Sequence, residues 1–186
     1  MVVEFGQGQD GSEKYEVVPA YLKSGSGDRR VYYIAGSGGS WIEAAPDAHL
    51  AYVRAVDQKH SGKAKPLVRF LKAWKYYRNV PISSFYLEMR AAAYANNEER
   101  IIYGIDIQRL LNRLHNVRLA PMNDPKGLVG RITACETQAQ MDDAWSKLGR
   151  AVTRANNAIA AEQADRIKDA FYWWDLVFDG HFPAYG

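Results

Sequence analysis

Beyond Pro46 the apolar residues recur at a spacing that only an α-helix can use; before it, short β-branched and aromatic runs are separated by glycine-rich turns. The clearest case is Leu67, Phe70, Leu71 and Trp74, at i, i+3, i+4 and i+7, which predicts a helix over residues 63–77 with one core face. Asn79-Val-Pro81 ends it, and Ser83 is placed to cap a helix running through Tyr94. Further helices are expected over 48–57 and 106–116, with a Pro/Gly/Asn/Asp loop at 121–130. The longest, 138–161, stripes Met141, Ala144, Trp145, Leu148, Val152, Ala155 and Ile159, its alanines allowing close helix approach. The last, 162–178, presents Ile167, Ala170, Phe171, Trp174 and Phe178. Tyr86, Tyr94, Tyr172, Trp173 and Trp174 fall at helical spacings that suit core or helix-contact roles.

The first 45 residues are expected to be β and turn. Val2–Phe5, a loop over 6–12 and one strand over Tyr15–Leu22 make a hairpin, followed by a turn at Ser24–Asp28 and a short strand at Val31–Ile34. Gly36-Ser-Gly-Gly-Ser40 lacks the Lys-Ser/Thr of a phosphate loop, and Trp41-Ile-Glu-Ala-Ala45 does not start a helix after it, so Gly36–Ser40 is expected to be a flexible connection. Two or three strands make a marginal sheet, which implies completion by other sequence or another chain. The expected class is α+β: a small antiparallel β remnant (1–45) followed by a bundle of five to six helices (46–186).

Composition narrows the functions. With 47% hydrophobic and 24% charged residues the chain is globular, and its net charge of +3 suits a small anionic ligand without indicating nucleic acid. Cys135 is the only cysteine, so there is neither an internal disulfide nor a cysteine-based zinc site; the four histidines are scattered. The first residues have neither the basic start nor the apolar run of a signal peptide, so none is expected there, and no run approaches the ~18 apolar residues of a membrane span. A cytoplasmic location is expected. No nucleophile signature surrounds Cys135 or the Ser/His/Asp residues.

On the 63–77 helix, Lys65, Arg69 and Lys72 form a stripe opposite the apolar face. Such a stripe is either a polyphosphate cradle or a solvated face of snorkelling cations, and spacing alone leaves both open. Glu16 is a strand carboxylate that could hold a divalent metal or simply be a polar hairpin residue.

Taken in order, several segments resemble the C-terminal half of the bacterial cyclic-oligonucleotide synthases. These SMODS-type, polymerase-β-like nucleotidyltransferases are relatives of cyclic GMP-AMP synthase and oligoadenylate synthase. The segments are Glu16-Val-Val-Pro-Ala20, Gly38-Gly-Ser-Trp41, Pro46 with His49, Leu67-Val-Arg-Phe-Leu-Lys-Ala-Trp74, and Ser84-Phe-Tyr-Leu-Glu88. Asp124-Pro125, the alanine-rich helix and Phe182-Pro183 complete the series.

The resemblance implies that residues 1–45 are part of a nucleotidyltransferase palm and that 46–186 bind nucleotide. Glu16 then stands for the third metal carboxylate, where Asp is more usual. Lys72 contacts the donor triphosphate, Ser84 helps bind phosphates, Phe85 stacks on a base, and Arg69 either joins them or supports packing. It further implies two-metal transfer with Mg²⁺ (or Mn²⁺) and ATP or another NTP as substrate, yielding cyclic di- or oligonucleotide messengers in antiviral, antiphage defence. The chain contains no Asp-x-Asp to supply the other two carboxylates. It is therefore expected to be inactive alone, as a fragment or split protein whose partner is a missing N-terminal catalytic segment or chain. The alternative is a non-catalytic nucleotide-binding or partner-docking module of the same descent; a third reading is a structural protein whose basic stripe only meets solvent.

Overall fold

The structure, a computed structural model, describes residues 2–5, 13–36 and 39–186, with backbone alone for 2–5 and 13–16. The class is α+β, as expected. Five strands are described, β1 (Val2–Phe5), β2 (Glu13–Glu16), β3 (Ala20–Ser24), β4 (Val31–Ala35) and β5 (Trp41–Ala44). Six α-helices follow: α1 (Pro46–Lys59), α2 (Ala64–Tyr77), α3 (Ser84–Asn97), α4 (Tyr103–Asn116), α5 (Gln138–Gln163) and α6 (Ile167–Val177).

The expected hairpin is present as the antiparallel pair β1–β2, with Val2 opposite Glu16 and Phe5 opposite Glu13; the expected loop over 6–12 lies outside the described residues. The single strand expected over Tyr15–Leu22 is not continuous. It ends at Glu16, and the chain resumes as β3 at Ala20, in a different sheet of order β3-β4-β5. Pro19 accounts for the break, because it has no N–H to give to a ladder. Trp41–Ala44, where no helix was expected, is the third strand, pairing Ile42 with Ile34 and Trp41 with Ala35. Tyr33 on β4 meets Tyr21 (ring centroids 5.3 Å apart), and Tyr21 meets Trp41 (5.5 Å), giving the sheet one aromatic face.

The chain forms two compact units, residues 1–51 with 126–130, and residues 52–125 with 131–186. In the first, Val31, Ala45 and Ala48 are buried against Leu128 and Val129, so part of the loop expected at 121–130 packs as core. In the second, Leu67, Leu71 and Trp74 of α2 are fully buried with Tyr86, Leu87 and Met89 of α3 and Leu110, Leu111 and Leu114 of α4. The alanines of α5 at 144, 151, 155 and 158 are buried too, and α5 packs against both α4 and α6. Tyr86, Tyr94 and Trp174 take the core roles expected of them, whereas Tyr172 points outward and is 59% exposed.

Local chemistry sets the element ends. The expected Ser83 cap is present: its Oγ accepts from the Tyr86 N–H at 3.2 Å. Thr137 and Gln140 make a reciprocal capping box at the start of α5. After α2, Asn79 turns left-handed (φ 48°) and the Val80 N–H returns to the Lys75 carbonyl at 2.9 Å, stopping the helix before Pro81. His60, buried between α1 and α2, donates from Nε2 to the Ala95 carbonyl at 2.7 Å and ties the end of α1 to α3. The helix over residues 106–116 begins earlier than its periodicity suggested, at Tyr103. Buried Asp106 reaches back to the Ile102 N–H (2.5 Å) and accepts from the Tyr94 hydroxyl (2.5 Å). The last helix starts later than expected, at Ile167, since Asp165 is left-handed (φ 58°) and interrupts it.

Burial, and then the hydrogen bond to Asp106, raise the Tyr94 phenol well above its ordinary value. The folded protein thus holds this proton more tightly than the unfolded chain does. The resulting stabilisation is complete below the unfolded tyrosine pKa of about 10 and is lost as pH climbs past it. Urea unfolding from pH 8 to 11 is expected to show stability falling above about pH 10, with a shallower fall in Tyr94→Phe. At neutral pH that variant should be about 1–3 kcal/mol less stable, because Asp106 loses a buried donor.

Candidate functional site

Helices α2 and α3 are antiparallel neighbours joined by a tight turn, so positions one turn apart on each meet in reverse order. Lys72 Nζ lies 2.5 Å from Glu88 Oε2, and Lys75 Nζ donates to Ser84 Oγ at 2.7 Å. The two contacts form a ladder along the helix pair, with Lys72 and Lys75 on one side and Glu88 and Ser84 on the other. Lys72 and Glu88 are half-buried, and Ser84 is exposed at the first position of α3. That position is at the positive end of the α3 dipole, which favours a negative ligand. Phe85 is 39% exposed beside it.

The rest of the basic stripe separates from this ladder. Asp57 accepts from the Lys65 backbone N–H at 2.9 Å, capping the first turn of α2, and also pairs with the Lys65 ammonium at 3.6 Å. Arg69 is exposed and has no ion-pair partner among the described residues. Of the sequence candidates, Lys72 and Ser84 therefore share one ladder, Phe85 is Ser84's neighbour in the chain, and Arg69 is a turn away on α2. Glu16 is the last residue of β2, and its side chain lies outside what the structure describes.

Lys75 and Glu88 are the residues that sequence reasoning missed as participants. Lys75 lies three residues past Lys72, a signal visible in the sequence. Its meeting with Ser84 depends on how α2 and α3 are registered, which the spacing does not give.

Chemically, the ladder offers two ammonium groups and a hydroxyl that can all donate to phosphate oxygens, with Glu88 occupying Lys72 until an anion replaces it. Among the described residues no group of three or more His, Cys, Asp or Glu side chains could hold a metal ion. The sequence holds no Asp-x-Asp pair, the arrangement that a two-metal centre uses for two of its carboxylates. Cys135 donates to the Pro81 carbonyl at 3.1 Å, and burial pushes its thiol up, which disfavours the reactive thiolate.

No protein-family model matches the chain. It is 25% identical over 175 residues to the probable cyclic nucleotide synthase IK1_05630 of Bacillus cereus (strain VD146), a match covering 92% of this chain and 52% of that relative. The bacterial cyclic-oligonucleotide synthases are what this chain is similar to. Its fold is that of CdnC from E. coli MS115-1 solved with ATP (TM-score 0.73, 19% identity, 92% of this chain and 61% of that one). The CdnC:HORMA-deltaN complex also matches (TM-score 0.67, 19% identity, 87% and 57%). The chain thus spans about half the length of the synthase it matches. No helix among the described residues is long and apolar enough to cross a membrane.

The Lys72–Glu88 pair is partly solvated, so its net contribution to folding is small. Glu88→Gln is expected to change the unfolding free energy by less than about 1 kcal/mol in urea denaturation. A loss of several kcal/mol would make the pair a structural anchor and not a ligand-exchangeable contact.

Proposed function

We propose that this chain is the C-terminal part of a nucleotidyltransferase that makes cyclic di- or oligonucleotide messengers from NTPs. The observation that carries the reading is the α2–α3 ladder: the residues that resemble the synthases' triphosphate contacts, Lys72 and Ser84, share one cation-rich strip at a helix N-terminus. In this reading residues 46–186 hold the donor nucleotide. The Lys72 and Lys75 ammonium groups and the Ser84 hydroxyl take triphosphate oxygens, Phe85 meets the base, and Arg69 adds charge at the rim. Residues 1–45 contribute part of the palm, with Glu16 as one carboxylate.

One carboxylate cannot do the work of three, so we infer that the chain acts with a segment or partner chain carrying an Asp-x-Asp pair. The small sheets support this inference. Val17, Val18, Tyr21, Leu22, Trp41 and Ile42 are each 44–57% exposed, an apolar surface that further strands or another chain would cover. The comparisons with CdnC, described with ATP and with a HORMA partner, support an NTP ligand and a protein partner. The antiphage and cytoplasmic roles rest on the resemblance to the synthases. A second reading, a nucleotide-binding module without catalysis, is favoured by the same shortage of carboxylates.

Isothermal titration of Mg-ATP into the 186-residue chain tests the site. Binding is expected, weakened about tenfold or more in Lys72→Ala and in Ser84→Ala, in line with loss of a charge-assisted phosphate contact. No phosphodiester product should form from the chain alone. Absence of ATP binding, or binding indifferent to both substitutions, would overturn the proposal; product formation would overturn the dependence on added carboxylates.

A further inference from the structure

A cleft of about 210 Å³ lies where the C-terminal ends of α2 and α6 meet the middle of α5. Its wall is cationic: Arg78, Lys147, Arg150 and Arg154 line it, against one lining carboxylate, Asp179. Asp179 pairs with Arg78, and Asp143, just outside the wall, pairs with Lys147, which leaves a formal excess of two positive charges in a concave site. Such an excess is unfavourable unless an anion enters.

The partners of these cations account for only part of the cluster. Arg78 donates to the Val177 carbonyl (3.3 Å) and the Leu176 carbonyl and pairs with Asp179 (2.5 Å). Arg154 donates to the Leu176 carbonyl at 2.8 Å. Those contacts satisfy the terminal carbonyls of α6, an ordinary use of arginine at a helix end. Lys147 is divided between the Asn79 carbonyl and Asp143, both at 2.8 Å. Arg150 is different. It is exposed, lines the cleft, and has no hydrogen-bond or ion-pair partner among the described residues. Capping of α6 gives no reason for it, and it adds to the repulsion around Arg154. Burial, reinforced by the Arg78 and Arg150 charges, pushes the Arg154 guanidinium down from its ordinary value.

We propose that this cleft is a second anion-binding site, built for an oligophosphate, and distinct from the α2–α3 ladder. The preference for linked phosphates comes from the spacing of α5. Lys147, Arg150 and Arg154 occupy i, i+3 and i+7, so their backbone positions extend over about 10 Å at roughly 1.5 Å per residue. A single phosphate does not span that row, whereas a chain of two or three does. Guanidinium forks suit this geometry because each can take two oxygens of one phosphate group. The site does not depend on the proposed nucleotide reading.

The test is titration of inorganic tripolyphosphate into Lys72→Ala, which removes the ladder's principal cation, at constant ionic strength set by chloride. Binding is expected to persist there and to fall at least tenfold when Arg150→Ala is added. Arg150 is exposed and unpartnered, so this variant should keep the thermal midpoint of its parent. Arg154→Gln gives a second measurement on the same wall, with a fall of similar size expected. No binding, binding unchanged by both arginine substitutions, or orthophosphate binding as tightly as tripolyphosphate would each overturn the proposal. Any of those results would leave the effect of Lys72→Ala on ATP binding as a separate question.

Discussion

The antiparallel packing of α2 on α3 is the constraint on which both the core and the candidate site depend. Leu67, Leu71 and Trp74 are fully buried against Tyr86, Leu87 and Met89, and each buried side chain of this size contributes about 1.5–3 kcal/mol. The left-handed Asn79 and the Ser83 cap fix where one helix stops and the next begins. Once those ends are fixed, the register follows, and with it the pairs Lys72–Glu88 and Lys75–Ser84. The apolar faces of the two helices pack inward while their adjoining edges form the ladder. A change in the core that slid one helix by a turn would separate both pairs.

The same physics operates at the opposite ends of the helices. Helix C-termini leave carbonyls that need donors, and Arg78 and Arg154 supply them to α6. Bringing cations to a helix end gathers positive charge wherever two such ends converge, as those of α2 and α6 do beside α5. Arg150 adds a charge that this structural task does not require. The ladder and the cleft thus differ in kind. In the ladder the lysines are already matched by a carboxylate and a hydroxyl, and a ligand must exchange for them; in the cleft positive charge exceeds its partners.

Much of the helical unit was legible in the sequence because its signals are local. The 3.6-residue recurrence from Leu67 to Trp74, Ser83 as a cap, and the alanine stripe of α5 each depend on neighbours within one or two turns. The β unit was less legible. A run of favourable strand residues across Tyr15–Leu22 suggested one strand, and Pro19 divided it between two sheets. Trp41–Ala44 gave too short a pattern to be recognised as a strand until β4 was beside it. Of the basic stripe, spacing showed three cations on one face, but not that Asp57, which caps α2, would also pair with the Lys65 ammonium.

The sequence alone determined the α+β class, the core face of each long helix, the presence of a single cysteine, and the absence of an Asp-x-Asp pair. All of these are properties of residue identity and short-range periodicity. Tertiary structure alone decided that Lys75 meets Ser84, that Glu88 holds Lys72, and that Arg78, Lys147, Arg150 and Arg154 surround one cleft. The physical reason is distance along the chain. Periodicity tells which way a side chain faces on its own helix. Which groups it meets depends on the packing of helices up to a hundred residues apart, as in the 99-residue separation between Arg78 and Val177.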